Sequence, residues 1–123
     1  ISLVCGIIKG SGIINTPLDN TEAITEYRTL ENFQDSTLVS VVLHTGRTHQ
    51  IRRHFALMGN PVVGDVLYGE KTMNALYKQR YGLRRQFLHC IRLSFANPSE
   101  PGKLQVKAPL SEDLDQILRR LRQ

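Results

Sequence analysis

The chain has 123 residues, 41% of them hydrophobic and 22% charged, and its formal net charge is +5. This length suits one domain with a single core, and the composition excludes a disordered tail, a collagen-like fibre and a disulfide-rich miniprotein. Because no segment approaches the roughly 18 consecutive apolar residues of a membrane helix, we expect a soluble protein, and its positive charge favours a polyanionic partner.

The two cysteines, Cys5 and Cys90, lie far apart and form no CxxC motif, which fits free buried thiols in a reducing compartment. We therefore expect a cytoplasmic location. Cys90 follows His89 in an apparent strand, where neighbouring side chains point to opposite faces, so we interpret Cys90 as a small core or sheet residue rather than a nucleophile. The apolar opening at Ile1, without an initiator Met, leads us to expect processing or truncation.

Strands are the first elements that the pattern predicts. Residues 1–8 are apolar and β-branched and end in a turn at Gly10 and Gly12. Residues 25–30 alternate as a half-exposed strand, and residues 37–43 form a second one after a turn at Asp35 and Ser36. We expect these two strands to pair as an antiparallel hairpin.

The hydrophobic period then changes to that of a helix. Ile51, Phe55 and Met58 fall on one helical face, with Thr48 as the predicted N-cap and Gly59 at the C-terminal end. Residues 70–81 predict a weaker helical or irregular stretch.

The C-terminal part predicts a central strand over residues 87–95, a turn over 97–102 and a short strand over 103–108 that completes a hairpin. The last helix begins at Ser111 as N-cap and has acidic residues in its first turn and arginines at its end. Its predicted core residues are Leu114, Ile117, Leu118 and Leu121.

The densest polar cluster occupies residues 44–54, where a strand leads directly into a helix. A helix N-terminus offers free backbone N–H groups to an anion, and arginines on its first turn add bidentate donors for phosphate or carboxylate. We favour a functional site here over the alternative of a solvated helix start.

The sequence motifs indicate neither a metal site nor a nucleotide cofactor. His44, His49 and His54 are spaced by five residues, whereas ligands on adjacent helical turns need a spacing of three or four. Gly6, Gly10 and Gly12 match neither a phosphate-binding loop nor a dinucleotide fingerprint. We therefore expect no cofactor and no metal.

Basic residues continue beyond this cluster and alternate with tyrosines. Cations for phosphates and aromatic faces for unstacked bases are what a surface that follows a nucleic-acid backbone needs. An ordinary basic surface explains the pattern equally well, and spacing alone leaves both interpretations open. The residues are Arg47, Arg52, Arg53, Lys71, Lys78, Arg80, Arg84 and Arg85, with Tyr68, Tyr77 and Tyr81.

Several motifs in order resemble the RluA family of RNA pseudouridine synthases. The signature is Thr45-Gly46-Arg47-Thr48-His49-Gln50-Ile51-Arg52, followed by His54, Gly59-Asn60-Pro61, Val63-Gly64-Asp65 and Tyr68-Gly69. Residues 23–28, Leu88-His89 and Leu93-Ser94-Phe95 with Pro98 resemble further family segments. Order and spacing agree from residue 1 to about residue 114.

The resemblance implies an isomerase that converts uridine to pseudouridine in ribosomal or transfer RNA without metal or organic cofactor. The implied fold is an α+β, or mixed α/β, domain with a mostly antiparallel sheet and flanking helices. The expected partners are structured ribosomal or transfer RNA and the missing N-terminal part of the catalytic domain. We expect no interaction with a membrane, and we expect the full-length protein to be a monomer.

One departure from the family is decisive for activity. The family's catalytic aspartate lies in a His-Arg-Leu-Asp segment, and these 123 residues contain no such segment. We therefore expect residues 1–123 to be the C-terminal portion of a single catalytic domain whose N-terminal part is missing, and to be inactive alone. The alternative is a non-catalytic RNA-binding module, or one half of a split enzyme.

The resemblance also assigns roles to residues. Arg52 is the arginine expected to pair with the absent aspartate and keep it ionised. Arg47, Thr48, His49 and Gln50 are expected to line the same cleft, and Leu88 to pack against the base site, with a core position as its alternative. From the basic pattern we also expect Arg53, Arg84 and Arg85 to bind RNA. Asp65 resembles a structural turn acid, and Tyr68 could be a cleft wall or a core residue, of which we favour the core.

Overall fold

The computed structural model describes residues 1–96 and 102–123. Strands β1 to β4 span Ser2–Cys5, Ser11–Ile14, Thr25–Asn32 and Ser36–Leu43, and helices α1 and α2 span Gln50–Leu57 and Lys71–Tyr81. Strands β5 (Arg92–Ala96) and β6 (Lys103–Lys107) precede helix α3 (Glu112–Leu121). The predicted α+β class is confirmed.

One four-stranded sheet in the order β1-β4-β3-β2 forms the centre, and β5 and β6 make a separate two-stranded sheet. Throughout the described ranges the paired strands are antiparallel. The predicted hairpin is β3–β4, in which Glu26 lies opposite Val42 and Arg28 opposite Ser40.

Both faces of the central sheet carry a core, because successive residues of a strand point to opposite sides. Val4 and Val39 lie on one face with Phe55 of α1, and Ile51 and Met58 pack against the same cluster, as their helical spacing predicts. Helix α1 is therefore fixed against the sheet through one face, and its outer face remains available.

Leu3 and Leu38 lie on the other sheet face. They pack with Tyr77 of α2 and with the residues of α3 that the sequence predicts as core, Leu114, Ile117 and Leu118, while Leu121 is partly buried. The helix dipole is also matched as expected, with acidic residues in the first turn of α3 and arginines in its last turn.

The predicted central strand over residues 87–95 is wrong. Residues 87–89 do run beside β1, since Leu3 N donates to Phe87 O (3.2 Å) and His89 N donates to Ile1 O (2.9 Å). Strand β5, however, begins only at Arg92 and pairs with β6, and Leu93 is 56% exposed. Alternation of apolar and polar residues indicates a strand, but it does not identify the strand with which it pairs. Of the predicted turn, residues 97–101 lie outside the described residues.

Helix boundaries bring one further correction. Thr48 is not the N-cap of α1; His49 is, in the left-handed region (φ 50°, ψ 35°) and without a side-chain capping bond. Of the helical and irregular alternatives for residues 70–81, the structure shows the helix, and the Glu70 carboxylate caps it by accepting from the backbone N–H groups of Thr72 and Met73.

The two cysteines differ in environment. Cys5 is buried, as expected, whereas Cys90 is exposed, so the prediction that Cys90 is a core residue is wrong. Cys90 follows the segment beside β1 and precedes the exposed hairpin, which leaves it without a covering layer. None of the helices in the described ranges is long and apolar enough to span a bilayer.

Candidate active site

Gln50 organises the loop that connects β4 to α1. Its side-chain oxygen accepts from Thr45 Oγ1 (2.7 Å) and from Arg47 N (2.9 Å). Its side-chain nitrogen donates to Ile24 O and to Thr25 Oγ1, both at 2.9 Å. Gln50 is only 3% exposed. The amide of Gln50 is therefore committed to the protein and shapes the loop, and its part in positioning the target nucleotide stays a prediction.

A hydrogen-bond chain continues from Gln50 into the protein. Thr25 Oγ1 lies 2.7 Å from His54 Nδ1, and His54 Nε2 lies 2.8 Å from Thr16 O. A carbonyl oxygen only accepts, so Nε2 donates, and in the neutral imidazole Nδ1 accepts from the Thr25 hydroxyl. His54 and Thr25 are fully buried. These residues fix the start of β3 against α1.

Arg52 makes a bidentate ion pair with Asp65. Arg52 Nε donates to Asp65 Oδ2 (2.7 Å) and Arg52 Nη2 donates to Asp65 Oδ1 (2.9 Å). The Asp65 side chain is fully buried and that of Arg52 is 12% exposed. Asp65 Oδ1 also accepts from Leu67 N and Tyr68 N, the role of a turn acid.

These hydrogen-bond donors favour the ionised form of the Asp65 carboxyl. Burial by itself would raise the pKa of the Asp65 carboxyl, but the hydrogen bonds from Arg52, Tyr68 and Leu67 outweigh it and leave the pKa below its ordinary value. Arg52 is therefore oriented by a carboxylate that is ionised near neutral pH.

Glycines make the turn around Asp65 possible. Gly64 has a φ of +85°, and a Cβ at this position would collide with the backbone carbonyl of Arg85. Asn74 closes the turn, because its Oδ1 accepts from Gly64 N (2.7 Å) and its Nδ2 donates to Asp65 O (2.8 Å). This geometry explains the spacing of the Val63-Gly64-Asp65 and Tyr68-Gly69 motifs.

Tyr68 forms a wall of the site and is not the core residue that we expected. Its ring centroid lies 5.0 Å from Arg52 Cζ, a cation–π arrangement. Its hydroxyl lies 3.1 Å from His49 Nδ1, and the two rings meet edge to face. Tyr68 thus joins the first turn of α1 to the turn that holds Asp65.

The uncommitted part of the Arg52 guanidinium is its Nη1 edge. Asp65 engages Nε and one N–H of Nη2, and among the described residues Nη1 has no hydrogen-bond acceptor. Beside Arg52 in the chain, the side chains of Arg47, Thr48 and His49 are exposed. Arg47 Nε donates to Glu22 O (2.7 Å), which leaves its two terminal nitrogens for another acceptor.

Arg53 has a different environment from Arg52. Its Nη1 and Nη2 each donate to one carboxylate oxygen of Asp19 at 3.0 Å, and Nη1 also donates to Thr48 O (3.2 Å). Asp19 already pairs with the charge of Arg53, and the expected contact of Arg53 with RNA stays a prediction.

The other predicted site residues lie on the segment between α2 and β5. Arg85 is exposed and also contacts the start of α3: its Nε and Nη2 donate to Asp113, and Nη2 donates to Ser111 Oγ. Its expected contact with RNA stays a prediction. Arg84 is exposed. Leu88 is partly buried and bridges to Ser2 at the edge of β1.

Sequence reasoning missed the two acids that hold the arginines. Asp65 pairs with Arg52 across 13 positions, and Asp19 pairs with Arg53 across 34. The position of Asp65 three residues before Tyr68 is a signal for the turn, but no pattern connects either acid to its arginine.

No group of three or more His, Cys, Asp or Glu side chains arranged to hold a metal occurs in the parts of the chain described.

Comparison with known proteins begins with a family model. The model described as "RNA pseudouridylate synthase" matches residues 7–57, which include the loop organised by Gln50 and all of α1.

Curated relatives are similar over most of this chain. It is 42% identical over 99 residues to "Ribosomal large subunit pseudouridine synthase C" of Vibrio cholerae, covering 80% of this chain and 31% of the relative. It is 32% identical over 143 residues to "Ribosomal large subunit pseudouridine synthase D" of Xanthomonas campestris, covering 100% of this chain and 43% of the relative. The chain therefore spans less than half the length of these relatives.

Two solved structures share the fold. "Human RNA Pseudouridylate Synthase Domain Containing 1" superposes with a TM-score of 0.71 at 24% identity, over 98% of this chain and 63% of that one. "Human RNA Pseudouridylate Synthase Domain Containing 4" gives a TM-score of 0.73 at 20% identity, over 98% and 60%. The resemblance read from the motifs is confirmed, and the chain belongs to the RNA pseudouridine synthases.

Proposed function

We propose that this chain is the C-terminal portion of the catalytic domain of an RNA pseudouridine synthase. The whole protein then converts uridine to pseudouridine in structured RNA, with ribosomal RNA as the favoured substrate. The observation that supports this most is the orientation of Arg52, which Asp65 and Tyr68 hold while its Nη1 makes no hydrogen bond within residues 1–96 and 102–123.

The reaction needs a carboxylate and a cation close together. The C1′–N1 bond of uridine must break, the uracil must turn while it is held, and C5 must join C1′. The hydrogen on C5 then leaves as a proton, and N1 gains a proton. An aspartate acts as nucleophile or base, and the His-Arg-Leu-Asp segment that would carry it is not among these 123 residues. In this proposal Arg52 donates from Nη1 to that aspartate and favours its ionised form.

The loop before α1 supplies the RNA contacts of the proposed site. The side chains of Arg47, Thr48 and His49 are exposed, and all three residues belong to the loop that the hydrogen bonds of Gln50 hold in place. Arg47 has donors left for a phosphate, and Arg84 offers a second exposed cation farther along the chain. Leu88 is proposed to pack near the base site. The whole protein is proposed to act as a cytoplasmic monomer.

The test uses the full-length protein and RNA labelled with tritium at C5 of uridine. Under single-turnover conditions, Arg52→Lys should slow tritium release about a hundredfold, the scale of losing one well-placed donor in an active site. Arg80→Lys, an exposed arginine of α2, is the matched control and should leave the rate unchanged. A near-normal rate for Arg52→Lys would remove Arg52 from this role.

Two further outcomes concern the chain itself. The 123-residue chain alone should bind RNA in a salt-sensitive manner and release no tritium. Tritium release by the chain alone would contradict its proposed dependence on an aspartate from outside. If the full-length protein binds RNA and releases no tritium from any uridine of ribosomal RNA, a non-catalytic RNA-binding module is the correct function.

A further inference from the structure

A pocket of about 350 Å³ opens on the outer face of α1. Its apolar lining comes from Pro17 and Leu18 of the loop after β2, from Ala56 and Leu57 of α1, and from Tyr68. This volume lies at the lower end of the range for small-molecule sites, roughly 300–1,000 Å³. Leu57 is 62% exposed, so the pocket keeps apolar surface in contact with water.

Asp19 and Arg53 form the polar part of the same pocket. Asp19 adopts a left-handed backbone conformation (φ 55°), and its carboxylate takes one hydrogen bond per oxygen from Arg53. Each carboxylate oxygen can accept more than one hydrogen bond, so both keep acceptor capacity. The hydrogen bond from Arg53 lowers the pKa of Asp19, which therefore remains a charged acceptor near neutral pH.

An acceptor-only carboxylate discriminates between nucleobases. Adenine, cytosine and guanine carry an exocyclic amino group that can donate to it, whereas uracil has a single N3–H donor between two carbonyl oxygens. Those carbonyl oxygens repel a carboxylate. The pocket therefore combines flat apolar walls for stacking with a rim that favours an amino-bearing base.

The pocket is continuous with the proposed active site. The ring of Tyr68 lines the pocket and also packs on the Arg52 guanidinium at 5.0 Å. Arg53 Nη1 donates to Thr48 O in the loop before α1. A ligand in the pocket would thus touch the side chain that orients Arg52.

We propose that this pocket binds one unpaired, amino-bearing nucleobase of the RNA substrate, next to the nucleotide held at Arg52. The proposal rests on the proposed function, because the arginines and the family likeness indicate an RNA substrate. The volume of the pocket fits one base, and its aromatic and apolar side chains suit a base that is not stacked on its neighbours in the RNA.

The experiment measures fluorescence anisotropy of labelled RNA hexamers, A6, C6 and U6, with the full-length protein and, in parallel, with the 123-residue chain. The unchanged protein should bind A6 and C6 more tightly than U6. Ala56→Trp fills the pocket and should weaken A6 binding about fivefold or more, the scale of one lost stacking contact. Ala75→Trp, at an exposed position of α2, is the matched control and should bind A6 normally.

Two more variants separate the pocket from general electrostatics. Asp19→Asn should reduce the preference for A6 and C6 over U6, because an amide also donates to uracil carbonyls. Arg47→Ala should weaken all three hexamers alike and lower the salt dependence. Leu57→Ser, which removes apolar surface from the pocket at an exposed position, should also weaken A6 and serves if Ala56→Trp fails to fold.

Normal A6 binding by Ala56→Trp and Leu57→Ser would overturn the pocket as a base site. Equal binding of the three hexamers, or no binding by the unchanged protein, would overturn it as well. The isomerase proposal stands or fails separately, on tritium release by the full-length protein.

Discussion

Arg52 and Asp65 bind each other through two parallel hydrogen bonds of 2.7 and 2.9 Å, although 13 residues separate them in the chain. The buried carboxylate also accepts two backbone N–H groups, from Leu67 and Tyr68. One side chain therefore orients the arginine of the proposed active site and closes the turn that carries its aromatic wall. Stability and the proposed function therefore both rely on the Asp65 carboxylate.

Asp65→Asn should lower the free energy of unfolding by about 3 kcal/mol at pH 7, because a partly buried guanidinium loses its charged partner. Asparagine keeps an oxygen for the backbone donors, so the turn itself should survive. Urea denaturation followed by circular dichroism measures the change. Asp19→Asn, which removes the partner of Arg53 at an exposed position, is the comparison and should have little effect on stability.

The Asp65 effect should depend on pH in a defined direction. Its pKa is lowered in the folded protein, so the ionised carboxylate contributes stability that is fully present above the unfolded pKa of about 3.9. That contribution is lost as the pH falls through the folded pKa. The difference between unchanged protein and Asp65→Asn should therefore be largest near pH 7 and shrink below about pH 4. An equal difference at pH 7 and pH 3 would contradict this account.

Gln50→Glu should destabilise the loop before α1. The carboxylate cannot donate to Ile24 O and Thr25 Oγ1, and a charge would enter a position that is almost fully buried. We expect a loss of about 3 kcal/mol in the free energy of unfolding. Gln79→Glu makes the same chemical change on the exposed surface of α2, and its loss should stay within about 0.5 kcal/mol. Similar losses for both variants would show that burial of Gln50 is not the cause.

Gly64→Ala should destabilise the turn around Asp65. The left-handed backbone disfavours a Cβ, and the added carbon would meet the carbonyl of Arg85. We expect a loss of about 2 kcal/mol or more, measured as a shift in the urea midpoint. Gly46→Ala is the control, since a Cβ at that position meets no atom within 4 Å. A midpoint for Gly64→Ala equal to that of Gly46→Ala would show that the turn relaxes freely.

The sequence correctly predicted the helices and strands that are determined by residues close together in the chain. The face of α1 formed by Ile51 and Phe55 and the core positions Leu114 and Ile117 of α3 follow from helical spacing alone. The hairpin β3–β4 follows from alternation and a short turn. These predictions needed no knowledge of distant residues.

The incorrect or missing predictions concern strand pairing, ion pairs and burial, which depend on residues far apart in the chain. Residues 87–95 alternate as a strand does, yet Phe87 lies beside β1 while Arg92 starts a hairpin with β6. The site residues were predicted by motif, but the partners of Arg52 and Arg53 were not, because ion pairs between distant positions leave no periodic signal. Burial of Gln50, too, depends on how α1 packs against β3.

The two cysteine thiols should react at very different rates. Cys90 is exposed, whereas burial of Cys5, reinforced by the negative charges of Glu70 and Asp35, raises the pKa of its thiol to about 11. Since the thiolate is the nucleophile, the native protein at pH 8 should react with Ellman's reagent promptly at Cys90 and only slowly at Cys5. In 8 M urea both thiols should react at once. The Cys90→Ser variant should show no prompt reaction in its native state, and a prompt reaction of that variant would show that Cys5 is accessible.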